Sequence, residues 1–289
     1  MRLQTTLLAA LLASPLAFAG DTNSTAADAK PTSESAPTGI EMVLASDWRS
    51  DEDRQRDQYR HPVQTLSFFG IKADDTVVEI TPGGGWYAEI LAPLLRDHGH
   101  YVAAVWDDRI EGQPAYRYKL NAALRERFAS DEAVYGKPDV RVFDPKAPDF
   151  GPSDSADAVL TFRNAHNWVA DDTGAAYFKA FFNVLKPGGT LGVVDHRAKP
   201  GTNLETMKKS GYLTEALVIG LATEAGFELV SRSEANANPK DDTDHPNGVW
   251  TLPPSMRHDE ADHEKYRAIG ESDRMTLRFV KPKKAAPAH

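Results

Sequence analysis

Five residues, Thr76-Val77-Val78-Glu79-Ile80, form a short apolar run that ends two residues before Gly83-Gly84-Gly85. Branched apolar side chains favour an extended, buried backbone, and glycine lets a chain turn sharply or pass close to a ligand. Residues 86–96 then place Ile90, Leu91, Leu94 and Leu95 at helical spacing before His98-Gly99 closes the segment. Strand, glycine turn and helix in that order form the opening of a crossover unit, which is how parallel strands are joined.

The cycle repeats along the chain. Strand-like runs recur at 101–106, 140–143, 156–162, 190–195, 227–232 and 275–280. Between them, 115–128 has a helical pattern, and Tyr177, Phe178, Phe181, Phe182 and Leu185 share one helical face before Lys186-Pro187-Gly188-Gly189. Leu213, Leu217 and Leu221 mark a further helix with Gly226 at its end. This alternation predicts a doubly wound α/β fold, a mostly parallel sheet with helices on both faces. Ligands on such sheets bind outside the carboxyl ends of the strands, where strand order reverses. Two stretches lie outside the cycle: 51–69 predicts one charged helix, and 234–274 lacks a period and reads as a solvated loop.

Composition narrows the function classes. The chain has 289 residues, with 33 Lys and Arg against 42 Asp and Glu, a net charge of −9. That balance lacks the basic footprint of a nucleic-acid or anionic-membrane binder, and a small-molecule partner is expected. Cysteine is absent, which excludes disulfides, thiolate nucleophiles and Cys-ligated metals, and no metal is assigned. Residues 1–19 carry Arg2, an apolar run at 7–12 and the triplet Ala17-Phe18-Ala19. This is the pattern of a cleavable secretory signal peptide, predicting a periplasmic protein with no membrane attachment after cleavage. Residues 20–39 have linker composition and 283–289 that of a patternless tail, leaving one domain over 40–282. Oligomeric state is open.

Glu79-Ile80-Thr81-Pro82-Gly83-Gly84-Gly85 resembles motif I of the class I S-adenosylmethionine-dependent methyltransferases, an acid ending strand 1 and then a G-x-G-x-G turn. Thr81 stands where the family's first glycine falls, while Gly83 and Gly85 match the second and third. Lys186-Pro187-Gly188-Gly189-Thr190-Leu191 looks like the family's segment before strand 5, and stretches at 49–62, 161–168 and 194–198 are similar to an exported branch of that family. The resemblance implies a Rossmann-like seven-stranded sheet with an antiparallel last strand, and S-adenosyl-L-methionine as cofactor. It also implies cofactor roles for Glu79, Thr81, Gly83, Gly85, Asp107, which would take the ribose hydroxyls, and Asp144, which would meet the adenine.

Methyl transfer to a neutral acceptor needs positioning and removal of a proton, and histidine suits the second task near neutral pH. Strand 4 runs into Asn164-Ala165-His166 and strand 5 into Asp195-His196. His166 is the expected base, with His196 and Asn164 positioning the substrate. The rival reading is a non-catalytic binding module that keeps the cleft for a nucleoside or other small metabolite. A nicotinamide oxidoreductase is disfavoured, because Gly83-Gly84-Gly85 does not supply G-x-G-x-x-G.

Overall fold

The computed structural model describes residues 39–283. The signal segment, nearly all of the linker and most of the tail lie outside those residues. Among the described residues, seven strands form one sheet: β1 Thr76–Ile80, β2 His100–Trp106, β3 Asp139–Phe143, β4 Ala156–Phe162, β5 Leu185–His196, β6 Glu228–Ser233 and β7 Arg274–Val280. Their spatial order is β3-β2-β1-β4-β5-β7-β6. Strands β1 to β5 pair in parallel, and β7 lies antiparallel between β5 and β6.

Two apolar layers hold the sheet from its two faces. One packs Tyr177, Phe178 and Phe181 of the helix Gly174–Val184 and Val218 and Ala222 of the helix Glu215–Ala225 against Val159, Leu191 and Leu277. The other packs Leu66 and Phe69 of the helix Pro62–Phe69 and Ile90 and Leu91 of the helix Ala88–Leu95 against Val77, Ala103 and Leu160. The sheet is so closely covered that a Cβ at Gly192 would lie 2.7 Å from Leu160 and 2.8 Å from Phe69. Among the described residues, no helix is long and apolar enough to cross a membrane.

Three local expectations are corrected. The stretch 51–69 is three helices, Asp51–Gln55, Asp57–Arg60 and Pro62–Phe69. His61 takes a left-handed φ of 41° between the last two and so breaks the helix there. Lys186-Pro187-Gly188-Gly189 belongs to β5, which starts as soon as the preceding helix stops at Val184. The Gly188 N–H donates to Lys281 O, and the Lys281 N–H to Gly189 O, so backbone pairing continues past the end of β7.

The third correction concerns 234–274, which is not a solvated loop. It contains a 3-10 turn, Gly248–Thr251, and a helix, His263–Ile269. Its anchor is buried and polar: Asp241 Oδ2 accepts from the Tyr212 hydroxyl at 2.9 Å and the Asp273 N–H at 2.8 Å, while Oδ1 lies 2.8 Å from His245 Nε2. Asn236 Nδ2 donates to Thr65 and Thr276 at 3.0 and 2.9 Å, tying the segment to the helix before β1 and to β7. The segment is polar in sequence because its fixing points are hydrogen bonds, which leave no hydrophobic period to read.

Candidate active site

Strand order reverses between β1 and β4, and there the turn after β1 faces the residues after β4 across a cleft. Two cavities of about 440 and 300 Å³ meet at Thr81, Gly83, Arg163 and Asn164. The larger is lined by Trp106 at the end of β2, Tyr116 and Leu120 of the helix Ala115–Ser130, His166, His196, and Val249, Trp250 and Arg257 from the segment before β7. The smaller lies against Glu79, Trp86, Tyr87 and the arginines of the N-terminal helices.

The turn explains why the motif tolerates a threonine. Thr81 adopts φ 48°, a left-handed conformation that a β-branched residue rarely takes, and its N–H is held by Ala104 O at 2.8 Å. Such backbone strain costs on the order of 1–3 kcal/mol and collects at ligand sites. Its buried hydroxyl has no hydrogen-bond partner. Gly83, at φ 62°, and Gly84 have nothing within 4 Å of where a Cβ would stand, so this part of the turn is a bare backbone cradle. Gly85, at φ 83°, faces inward instead, with Leu124 3.0 Å from its would-be Cβ.

Below the turn, Glu79 is buried, and its Oε2 accepts from the Tyr101 hydroxyl at 2.5 Å. Burial pushes its carboxyl up to about 7, against the lowering effects of that hydrogen bond and of Arg60.

Across the cleft His166 is the second residue of the helix Ala165–Ala170. Its Nδ1 lies 2.9 Å from Oδ1 of Asp195, a wholly buried carboxylate at the end of β5 that also accepts the backbone N–H groups of His166 and His196, at 3.2 and 2.7 Å. A carboxylate on Nδ1 fixes the tautomer that carries its proton there, leaving Nε2 as the basic nitrogen. His196 stands alongside, ring centroids 4.9 Å apart, with its Nδ1 2.6 Å from the Ser272 hydroxyl. Burial holds His196 well below the usual histidine range, reinforced by His166 and by Arg163, Arg274 and Arg60. His166, Asp195 and His196 have the donor types of a metal site. Asp195, however, already accepts three N–H groups, and the surrounding arginines oppose a cation.

Asn164 donates its amide to Ile80 O at 3.0 Å and Phe162 O at 3.2 Å, tying the ends of β1 and β4 together. The structure thus brings Glu79, Thr81, Gly83, Asn164, His166 and His196 to one cleft. Asp107 and Asp144 stand outside its lining. Asp107 holds Arg109 with both oxygens, at 2.8 and 2.6 Å, and the exposed Asp144 caps the Lys146 N–H at 2.8 Å. Asp108 is committed to Asn121 and Arg125.

No family model matches the chain, and no curated protein matches it in sequence. Solved structures do match. A SAM-dependent methyltransferase from Aquifex aeolicus is 15% identical with a TM-score of 0.51, covering 78% of this chain and 93% of its own. An arsenic(III) S-adenosylmethionine methyltransferase from Chlamydomonas reinhardtii is 16% identical with a TM-score of 0.51, covering 88% and 76%. The fold is the class I methyltransferase fold. It also hosts other chemistry: the [4+2]-cyclase SpnF matches with a TM-score of 0.55 at 15% identity, covering 83% of this chain and 85% of its own.

Sequence reasoning missed Asp195 beside His166, as well as Arg163 and the wall at Val249–Arg257. Asp195 had a readable signal, an acid closing an otherwise apolar strand. Arg163 had none, because 49–62 and 163 meet only through the sheet topology.

Proposed function

We propose that this protein is an exported S-adenosylmethionine-dependent methyltransferase acting on a small-molecule acceptor. The observation that carries the reading is the Asp195–His166 pair, which faces the bare glycine turn across the switch point of a methyltransferase fold. The residues fit the cofactor: the open backbone at Gly83 and Gly84 and the orphaned Thr81 hydroxyl offer a ligand both space and a hydrogen-bonding partner. Trp106 and Leu120 would form the apolar wall, and Glu79 would lie on the methionyl side.

When bound, S-adenosylmethionine supplies an electrophilic methyl group on a sulfonium. His166 Nε2 takes the acceptor's proton, and Asp195 steadies the imidazolium that results. His196, kept neutral by burial, offers its free nitrogen as a hydrogen-bond partner for the acceptor. Asn164 works from behind, holding the two strand ends at a fixed separation. The 234–274 segment closes the outer side with Trp250 and Arg257, limiting water at the reacting atoms.

Release of S-adenosylhomocysteine from S-adenosylmethionine should be detectable with members of a small-molecule acceptor panel. His166→Ala should lower that rate about 100-fold or more, the usual worth of a general base, and Asp195→Asn should lower it by misorienting the ring. Binding of S-adenosylhomocysteine should persist in both variants. Binding without turnover on any acceptor would favour the rival reading of a non-catalytic module, to which the SpnF match lends the point that this fold serves more than one chemistry. Export rests on residues 1–19, and N-terminal sequencing of protein recovered from the periplasm should begin at Gly20; an intact Met1 end would contradict it.

A further inference from the structure

Four guanidinium groups converge on one carboxylate, and three of them, from Arg56, Arg60 and Arg163, line the smaller cavity. Glu271, 3% exposed, receives Arg56 at 2.7 Å and Arg274 at 3.1 Å, with Arg60 at 3.5 Å and Arg163 at 4.0 Å. Arg56 donates from Nε to Glu271 at 2.8 Å, its Nη2 being ion-paired with Glu271 but without a hydrogen bond, and Arg274 donates to the carbonyls of Tyr59 and Ser272. The guanidiniums of Arg60 and Arg163 donate no hydrogen bond among the described residues, and Arg60 Nε is buried without a hydrogen-bond partner. Arg60 is 6% exposed, its guanidinium 4.7 Å over the Trp86 ring, and both arginines line the cavity.

A guanidinium carries five donors, and neither the buried Arg60 nor the half-buried Arg163 has any of its own in a hydrogen bond among the described residues. The acids nearby do not balance them. Glu271 is shared four ways, and Glu79 is uncharged for a substantial fraction of molecules near neutral pH. The strain supports the same view. Arg163 adopts φ 63°, a left-handed conformation that swings it from the end of β4 toward both cavities.

We propose that Arg60 and Arg163 form an anion subsite that takes a carboxylate or phosphate group of the small molecule this cleft acts on. Guanidinium forks match both oxyanions, and the anion would supply the hydrogen bonds the two side chains lack. Burial pushes Arg60 down to about 9, with Glu271 opposing, a cost that a bound anion would relieve. The acceptor class follows only if the methyl-transfer reading holds. The anion site does not depend on that reading.

The probe is inorganic phosphate, titrated by calorimetry into the protein alone, saturated with S-adenosylhomocysteine, and saturated with 5′-methylthioadenosine, which has no carboxylate. Phosphate should bind in all three, and Arg60→Gln and Arg163→Gln should each weaken it tenfold or more, with Arg60→Lys intermediate. Arg163→Gln is decisive should Arg60→Gln fail to fold, since the Arg163 guanidinium makes one 4.0 Å contact. Absence of phosphate binding to the unmutated protein would overturn the proposal. So would competition by S-adenosylhomocysteine but not by 5′-methylthioadenosine, which would assign the arginines to the cofactor's own carboxylate. Phosphate binding without S-adenosylhomocysteine binding would leave the anion site standing and remove the methyl-transfer reading.

Discussion

Glu79 shows how one buried group couples the site to stability. Its folded carboxyl sits at about 7 because burial disfavours the charged form. Between the unfolded carboxylate range, near 4.5, and about 7 the folded chain therefore binds more protons than the unfolded one, and stability falls as pH rises through that window. The loss attributable to this group is on the order of 3 kcal/mol, complete above the folded value. Glu79→Gln keeps an acceptor for the Tyr101 hydroxyl and removes the titration. Urea unfolding at pH 5 and pH 8 should therefore show the variant gaining on the parent protein as pH rises. Parallel pH dependences in the two proteins would mean that the Glu79 carboxylate is solvated better than its burial indicates. His196 acts oppositely: its lowered folded value makes stability fall as pH drops through the unfolded histidine range. Glu79 was legible in the sequence because an acid ends an apolar strand before glycines. Asp195 has the same signature, but no glycine turn follows to draw attention to it. Arg163 was illegible, since its role depends on Glu271, more than 100 residues away, and on a φ that arginine seldom adopts.

At the level of elements, the alternating strands and helices were readable because each strand carries its own apolar period. Their order was accessible only through resemblance, since periodicity does not say which strands are neighbours. The N-terminal helices show the limit. Arg56 and Asp57 lie in a stretch that reads as one charged helix with a solvated face, yet Asp57 pairs with the buried Arg49 at 2.7 Å and Arg56 with the buried Glu271 at 2.7 Å. What reverses the expectation is pairing: a charge is buried when partners from other elements reach it. The 234–274 segment fails in the same way. Its anchor uses Asp241, Tyr212, His245 and Asn236, residue types that also populate surface loops. The glycine turn succeeds because glycine at positive φ leaves a mark in the sequence. Thr81 shows that the conformation persists even where the mark is absent.

Taken whole, the molecule places a backbone cradle after β1 and an imidazole after β4, oriented by a buried carboxylate at the end of β5, around one opening walled by the segment before β7. On the proposed reading the cradle binds the adenosyl cofactor. Calorimetric titration of the parent protein with S-adenosylhomocysteine, beside Gly83→Val, tests it most directly. A Cβ at Gly83 would project into open space, so the substitution fills the cradle rather than the core, although its φ of 62° adds local strain to a β-branched residue. The account predicts one-to-one binding by the parent protein and none by a Gly83→Val variant that still unfolds cooperatively. Failure of the parent to bind, or unchanged affinity in the folded variant, would contradict it.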